Sequence, residues 1–149
     1  MKLLEKNCRI ALVQGTPVLF DRKATIDKVV EQIREAGKKG AQLIVFPESY
    51  VPCYPYGMTF GFTVGSRTAE GRIDWKRYYD NSVLVPSEDT ERVGQAAKEV
   101  GAYVSLGITE RDGRTCTLYC TNLIFSPEGE LVAHHRKLKP TGAERCVWG

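Results

Sequence analysis

The chain has 149 residues, of which 42% are hydrophobic, enough for one domain with a real core. Its net charge of +3, from 26% charged residues of both signs, carries no electrostatic signature of a nucleic-acid or membrane partner. Five cysteines at irregular spacing are an odd count, which argues against a disulfide framework and for a reducing, cytoplasmic setting.

Residues 1–7 carry charges where a signal peptide needs its apolar segment, and no apolar run approaches the length of a membrane span. Residues 8–14 read as a mostly apolar first strand, broken by Gly15, Thr16 and Pro17. Asp21 can then cap a helix whose apolar residues Ile26, Val29, Val30, Ile33 and Ala36 fall at helical spacing. Gly37 and Gly40 close it. Leu43, Ile44, Val45 and Phe46 then form an unbroken apolar run, which suits a strand buried on both faces. Pro47, lacking an N–H, tends to end a ladder. These elements make a β-α-β unit with parallel strands and a right-handed crossover. Glu48 follows at the carboxyl rim of the second strand, where open α/β sheets bind ligands. It is either a solvated residue after a strand or the start of a site.

From residue 48 to about residue 72 the chain is rich in aromatics, glycine and proline, and reads as a long irregular loop. Its aromatics either wall a pocket beside Glu48 or pin the loop to the sheet. Residues 74–82 suit a short helix. Residues 89–100 suit a better one, capped by Asp89 or Thr90, with Val93, Ala96, Ala97 and Val100 as its apolar face. Strands follow at residues 103–109, 117–125 and 131–136, joined by turns at residues 111–114 and 127–130. A βαβ unit, then helices, then a β meander imply a mixed α/β sheet with helices on its face.

The last strand runs into Lys137, which, like Glu48, sits where a strand gives way to a loop. The two residues can meet at one rim of the sheet. They would form either a simple ion pair or a reactive one, the carboxylate moving protons and the ammonium stabilising negative charge. His134 and His135 are adjacent on a strand, so they point to opposite faces and do not share a metal. Cys116 and Cys120 lack a second cysteine pair, which excludes an ordinary structural zinc site.

Several motifs in order resemble the nitrilase superfamily of carbon–nitrogen hydrolases, nearest its nitrilase and cyanide-converting branch. They are residues 40–48 ending in Phe46-Pro47-Glu48, Tyr54-Pro55, residues 64–66, 69–72 and 107–110, His135-Arg136-Lys137, Thr141, Glu144-Arg145 and Trp148-Gly149. The resemblance implies an α-β-β-α sandwich and a Glu–Lys–Cys triad joined by a second glutamate. Glu48 matches the general base, Lys137 the lysine and Glu144 the second glutamate, with Tyr54 facing the substrate pocket. It implies hydrolysis of a small-molecule nitrile to a carboxylic acid and ammonia, no metal or organic cofactor, and a homo-oligomer in the complete protein. Amide or carbamoyl hydrolysis, or a non-catalytic association module, are the alternatives.

The family's nucleophilic cysteine stands in a Cys-Trp-Glu-like motif that none of the five cysteines occupies. Residues 1–149 are therefore expected to be the amino-terminal part of a single hydrolase domain, a partial sandwich inactive by itself. Cys8, Cys116 and Cys120 read as bystanders. Cys53 replaces a glycine common in the family and could act as nucleophile only if its loop set the sulfur across from Lys137.

Overall fold

The computed structural model describes residues 7–149; the charged start of the chain, residues 1–6, on which most of the signal-peptide expectation rests, lies outside them. Strand β1 (Ile10–Leu12) is shorter than its apolar run, because only three residues pair before the break at Gly15. Helix α1 (Arg22–Lys38) starts where expected. The Asp21 carboxylate accepts from the Ala24 N–H at 2.9 Å, satisfying one of the unpaired first-turn donors. Its buried residues Ile26, Val29, Val30, Ile33 and Ala36 form the expected stripe.

Strand β2 (Leu43–Val45) lies inside the sheet, with Ile44 fully buried toward the helices. Leu43 and Val45 are only half-buried on the other side, so the strand is buried on one face and not, as expected, on both. The segment expected to be irregular holds more structure than its composition indicates. Strands β3 (Phe62–Thr63) and β4 (Ser66–Arg67) form a small hairpin, and α2 (Ala69–Asp80) begins five residues earlier than expected. Thr68 caps α2, its hydroxyl accepting from the Gly71 N–H at 3.1 Å. A glycine in the first turn masks this start, since glycine reads as a breaker. Helix α3 (Glu88–Val100) has Ser87, not Asp89 or Thr90, as its N-cap residue, and the Thr90 hydroxyl accepts from the Ser87 N–H at 2.9 Å. Strands β5 (Tyr103–Arg111), β6 (Leu118–Phe125) and β7 (Leu131–Arg136) complete the meander.

The main sheet has the order β1-β2-β5-β6-β7, parallel among the first three strands and antiparallel thereafter. Helices α1 and α3 pack together against one face, where Ile26, Val29, Ile33, Val93 and Ala97 meet Ile44, Val104, Leu106, Leu123 and Phe125. Strand alternation puts Leu12, Val45, Ser105, Asn122 and His135 on the opposite face. Leu12 is 75% exposed there. Only one end of that face is covered. A second apolar cluster of Cys53, Phe60, Tyr78, Leu118, Cys120 and Trp148 seats α2 and the loop before it on the β5–β6 hairpin. Tyr78 fixes this layer, donating to the Cys53 carbonyl at 2.9 Å and sharing a 2.6 Å hydrogen bond with Thr109 Oγ1. Among the described residues, no helix is long and apolar enough to cross a membrane.

The connection after β2 positions the site. The Phe46 N–H bonds the Ser105 carbonyl at 2.9 Å; the chain then arches over Gly107 and rejoins β5 at Val51, whose carbonyl accepts the Thr109 N–H at 2.7 Å. A Cβ on Gly107 would lie 2.2 Å from the Pro47 carbonyl oxygen and 2.7 Å from Glu48 Cα. Both contacts are with backbone, which cannot swing aside. Gly107→Ala is thus expected to cost about 1–3 kcal/mol and to push the arch off the sheet. Urea unfolding checks the cost, and amide chemical shifts of residues 46–51 check the displacement.

Candidate active site

Glu48 stands at the crest of the arch, on the face of the sheet away from α1 and α3. Lys137 follows β7 by one residue, and its N–H bonds the Cys120 carbonyl at 2.8 Å, so the ladder continues just far enough to aim its side chain at the same rim. The two meet: Lys137 Nζ lies 2.8 Å from Glu48 Oε1.

Glu144 completes the group from a 3-10 helix (Gly142–Cys146). The Thr141 N–H donates to Glu144 Oε2 at 2.6 Å, a local cap that folds the side chain back toward the sheet. Lys137 Nζ reaches Oε2 at 2.9 Å and Oε1 at 3.2 Å. The ammonium therefore bridges two carboxylates that would otherwise repel each other. Tyr54 joins the group through Glu144. Its hydroxyl donates to Glu144 Oε1 at 2.8 Å and its ring packs edge-on against Trp148. Tyr54, Met58, Val147 and Trp148 line a 220 Å³ cavity that Glu144 also borders.

The electrostatics follow from these contacts. Hydrogen bonds from Lys137 to Glu144 and to Glu48 hold its ammonium well above the ordinary lysine range. Burial opposes ionisation of Glu144, yet the bonds from Lys137, Thr141 and Tyr54 outweigh it and hold the carboxyl below its usual range. Tyr54, giving its proton to that carboxylate, is pushed up to about 12. All three shifts stabilise one state near neutrality: ionised Glu144, charged Lys137 and protonated Tyr54.

Cys120, expected to be a structural or exposed bystander, is buried and touches the site. It lies on β6 opposite Thr109, and its sulfur donates to Glu48 Oε1 at 3.3 Å while accepting from the Ser49 hydroxyl at 3.6 Å. Strand parity held the signal for Cys120: Leu123 and Phe125 face the helices, so Cys120 faces the rim. Nothing in the sequence marks Ser49. Cys53 does not reach Lys137; it is buried in the second cluster beneath Tyr78, and burial pushes its thiol up. Cys116 is exposed. His134 and His135 do point to opposite faces. His134 bonds Glu110 at 2.7 Å, whereas His135 borders a 520 Å³ concavity shared with Glu48, Cys120, Asn122 and Lys137.

Comparison with known proteins adds lineage to this geometry. The carbon-nitrogen hydrolase family model matches residues 9–149. An aliphatic nitrilase of Sinorhizobium fredii is 49% identical over 141 residues, covering 95% of this chain and 45% of that relative. Nitrilase 1 of Arabidopsis thaliana is 43% identical over 141 residues, covering 95% and 40%. The chain thus spans less than half the length of these curated relatives. A Saccharomyces cerevisiae member of branch 10 of the nitrilase superfamily superposes with a TM-score of 0.69 at 23% identity, covering 93% of this chain and 46% of the other. An amidase from Nesterenkonia sp. superposes with a TM-score of 0.63 at 18% identity, covering 100% and 50%. At such identities the structural likeness is one of fold, and the fold is the partial α/β arrangement described above.

Proposed function

The chain belongs to the carbon-nitrogen hydrolase family, and from that membership we propose that it is the part of a nitrilase-type domain that carries the proton-transfer and charge-stabilising groups for hydrolysis of a nitrile to a carboxylic acid and ammonia. One observation carries the reading: Lys137 Nζ sits 2.8 Å from Glu48 and 2.9 Å from Glu144 at one rim of the sheet. The identity of 40–49% to relatives named nitrilases supports a nitrile as substrate.

In this reading a cysteine outside the 149 residues attacks the nitrile carbon. Glu48 takes the thiol proton and returns it to the nitrile nitrogen, giving a neutral thioimidate. A first water adds under the same base and ammonia leaves, forming a thioester. A second water releases the acid and restores the thiol. Overall, R–CN and two waters give R–COOH and ammonia. Lys137 stabilises the nitrogen- and oxygen-centred negative charge that develops at each addition. Held charged between two carboxylates, it also helps protonate the tetrahedral species, while Glu48 carries the proton taken from the nucleophile. Glu144 keeps Lys137 charged and aimed, and Tyr54 supports Glu144 while its ring borders the cavity beside Glu144, distinct from the 520 Å³ concavity that holds Glu48 and Lys137.

The rest of the reading is that residues 1–149 form the amino-terminal part of one hydrolase domain, with no metal or organic cofactor. We further infer a cytoplasmic homo-oligomer. The five unpaired thiols support the first, and the exposed apolar Val64 and Ile73 on the hairpin and α2 support the second.

The test is ammonia release from aliphatic and aromatic nitriles and the matching amides, by the 149-residue chain and by a complete enzyme carrying it. The chain alone is expected to release none, and the complete enzyme to prefer nitriles. Turnover by the isolated chain that Glu48→Gln abolishes, or turnover of amides only, overturns the reading.

A further inference from the structure

The two oxygens of Glu48 are not equivalent. Oε1 accepts from both Lys137 Nζ at 2.8 Å and the Cys120 thiol at 3.3 Å. Oε2 accepts no hydrogen bond among the described residues. The sulfur that donates to Oε1 is itself braced from behind by the Ser49 hydroxyl at 3.6 Å. Ser49 is fully buried, and its backbone adopts φ 46°, a left-handed conformation that side chains rarely take unless the surroundings impose it. Cys120 is also the residue whose carbonyl holds the Lys137 backbone. One strand residue thus touches both members of the acid–base pair, through its side chain to one and its main chain to the other.

We propose that Cys120, braced by Ser49, is a positioning residue for the general base: its S–H and Lys137 together pin Glu48 Oε1, which leaves Oε2 as the oxygen that exchanges protons with the reacting groups. This rests on the nitrilase-type reading above and deepens it. The thiol is suited to the task because it keeps its proton. Burial pushes it up to about 11, with the Glu48 carboxylate adding to the shift against the bond from Ser49. With its proton in place it donates to Glu48.

Two measurements test this. In the 149-residue chain, the infrared S–H stretching band of Cys120 is isolated by subtracting the spectrum of Cys120→Val. It should lie at low wavenumber and rise when Glu48→Leu removes the acceptor; an unchanged band overturns the proposal. In the complete enzyme, Cys120→Val should lower kcat about tenfold with KM nearly constant, because orientation of the base is lost while substrate binding is not. Cys120→Ser, which keeps a donor, should recover most of that loss, and Ser49→Ala should give a smaller loss of the same kind. Full activity in Cys120→Val overturns the proposal. So does a Cys120→Ser variant as inactive as a nucleophile knockout, which would make the sulfur itself the attacking atom. If the complete enzyme hydrolyses neither nitriles nor amides, the functional reading fails, and the infrared band alone decides whether Cys120 orients Glu48.

Discussion

Glu48→Gln is expected to lower kcat for nitrile hydrolysis about 10³-fold in a complete enzyme carrying this chain, the middle of the range for losing a positioned general base. The substitution is nearly isosteric. The introduced amide can still accept from Lys137 and Cys120 through its carbonyl oxygen, so the arch over Gly107 has no reason to move. Stability should change little, since an ion pair whose carboxylate is half exposed contributes only about 0–1 kcal/mol. The thermal midpoint is accordingly expected to stay within about 4 °C. Ammonia release and thermal unfolding measured together separate loss of chemistry from loss of fold. A rate within tenfold of the parent would assign the base to another group.

The largest stability effect is expected at a residue outside the site. Glu110 on β5 has a side chain only 2% exposed. It accepts from Arg136 at 2.6 and 3.2 Å, from Thr121 at 2.8 Å, and shares a 2.7 Å bond with His134. Removing the carboxylate strands these donors. Glu110→Ala is therefore expected to cost about 2–3 kcal/mol in urea unfolding, the upper part of the penalty for stranding buried polar groups, since Arg136 and His134, 40% and 34% exposed, can turn to water while buried Thr121 cannot. Glu110→Leu combined with Arg136→Met should cost less than the two single changes summed, because the two side chains share hydrogen bonds that each single change already breaks. The pH dependence has a definite sign. Burial raises the Glu110 carboxyl, but the bonds from Arg136, His134 and Thr121 outweigh it and hold the folded-state value below the ordinary one. Its contribution is present above the unfolded value of roughly 4.3 and is lost as pH falls through the folded value. Acid unfolding of Glu110→Gln should accordingly be less steep below about pH 4.

How far the sequence revealed this structure depended on how local each cause was. Helix α1 and the two strands that flank it were legible because Asp21, the stripe from Ile26 to Ala36 and the unbroken run of β2 each act within a few residues. Glu48 and Lys137 were legible as strand-end residues, and the register of β6 against β5 and β7 brings them within 2.8 Å. The early start of α2 was hidden by Gly71, and the hairpin of β3 and β4 by its shortness. Tyr54 was read as a pocket residue and its ring does border a cavity, but its hydroxyl bonds Glu144, a partner ninety residues away that no local pattern announces. The buried carboxylate of Glu110 was missed for the same reason: its partners Arg136 and His134 lie on β7, two strands distant.

The arch over Gly107 also divides what selection can alter. Glu48, Lys137 and Cys120 take their places from backbone bonds to β5 and β6, so they move only if the sheet moves. Tyr54, Met58 and Trp148, which shape the neighbouring cavity, hang from a loop and a short helical turn. Of that second set Met58 can change without disturbing the first, whereas Tyr54 bonds Glu144 and Trp148 is buried beside Cys120. The cavity's wall is thus open to revision at its loop positions, while the residues tied to the sheet can shift only together with it.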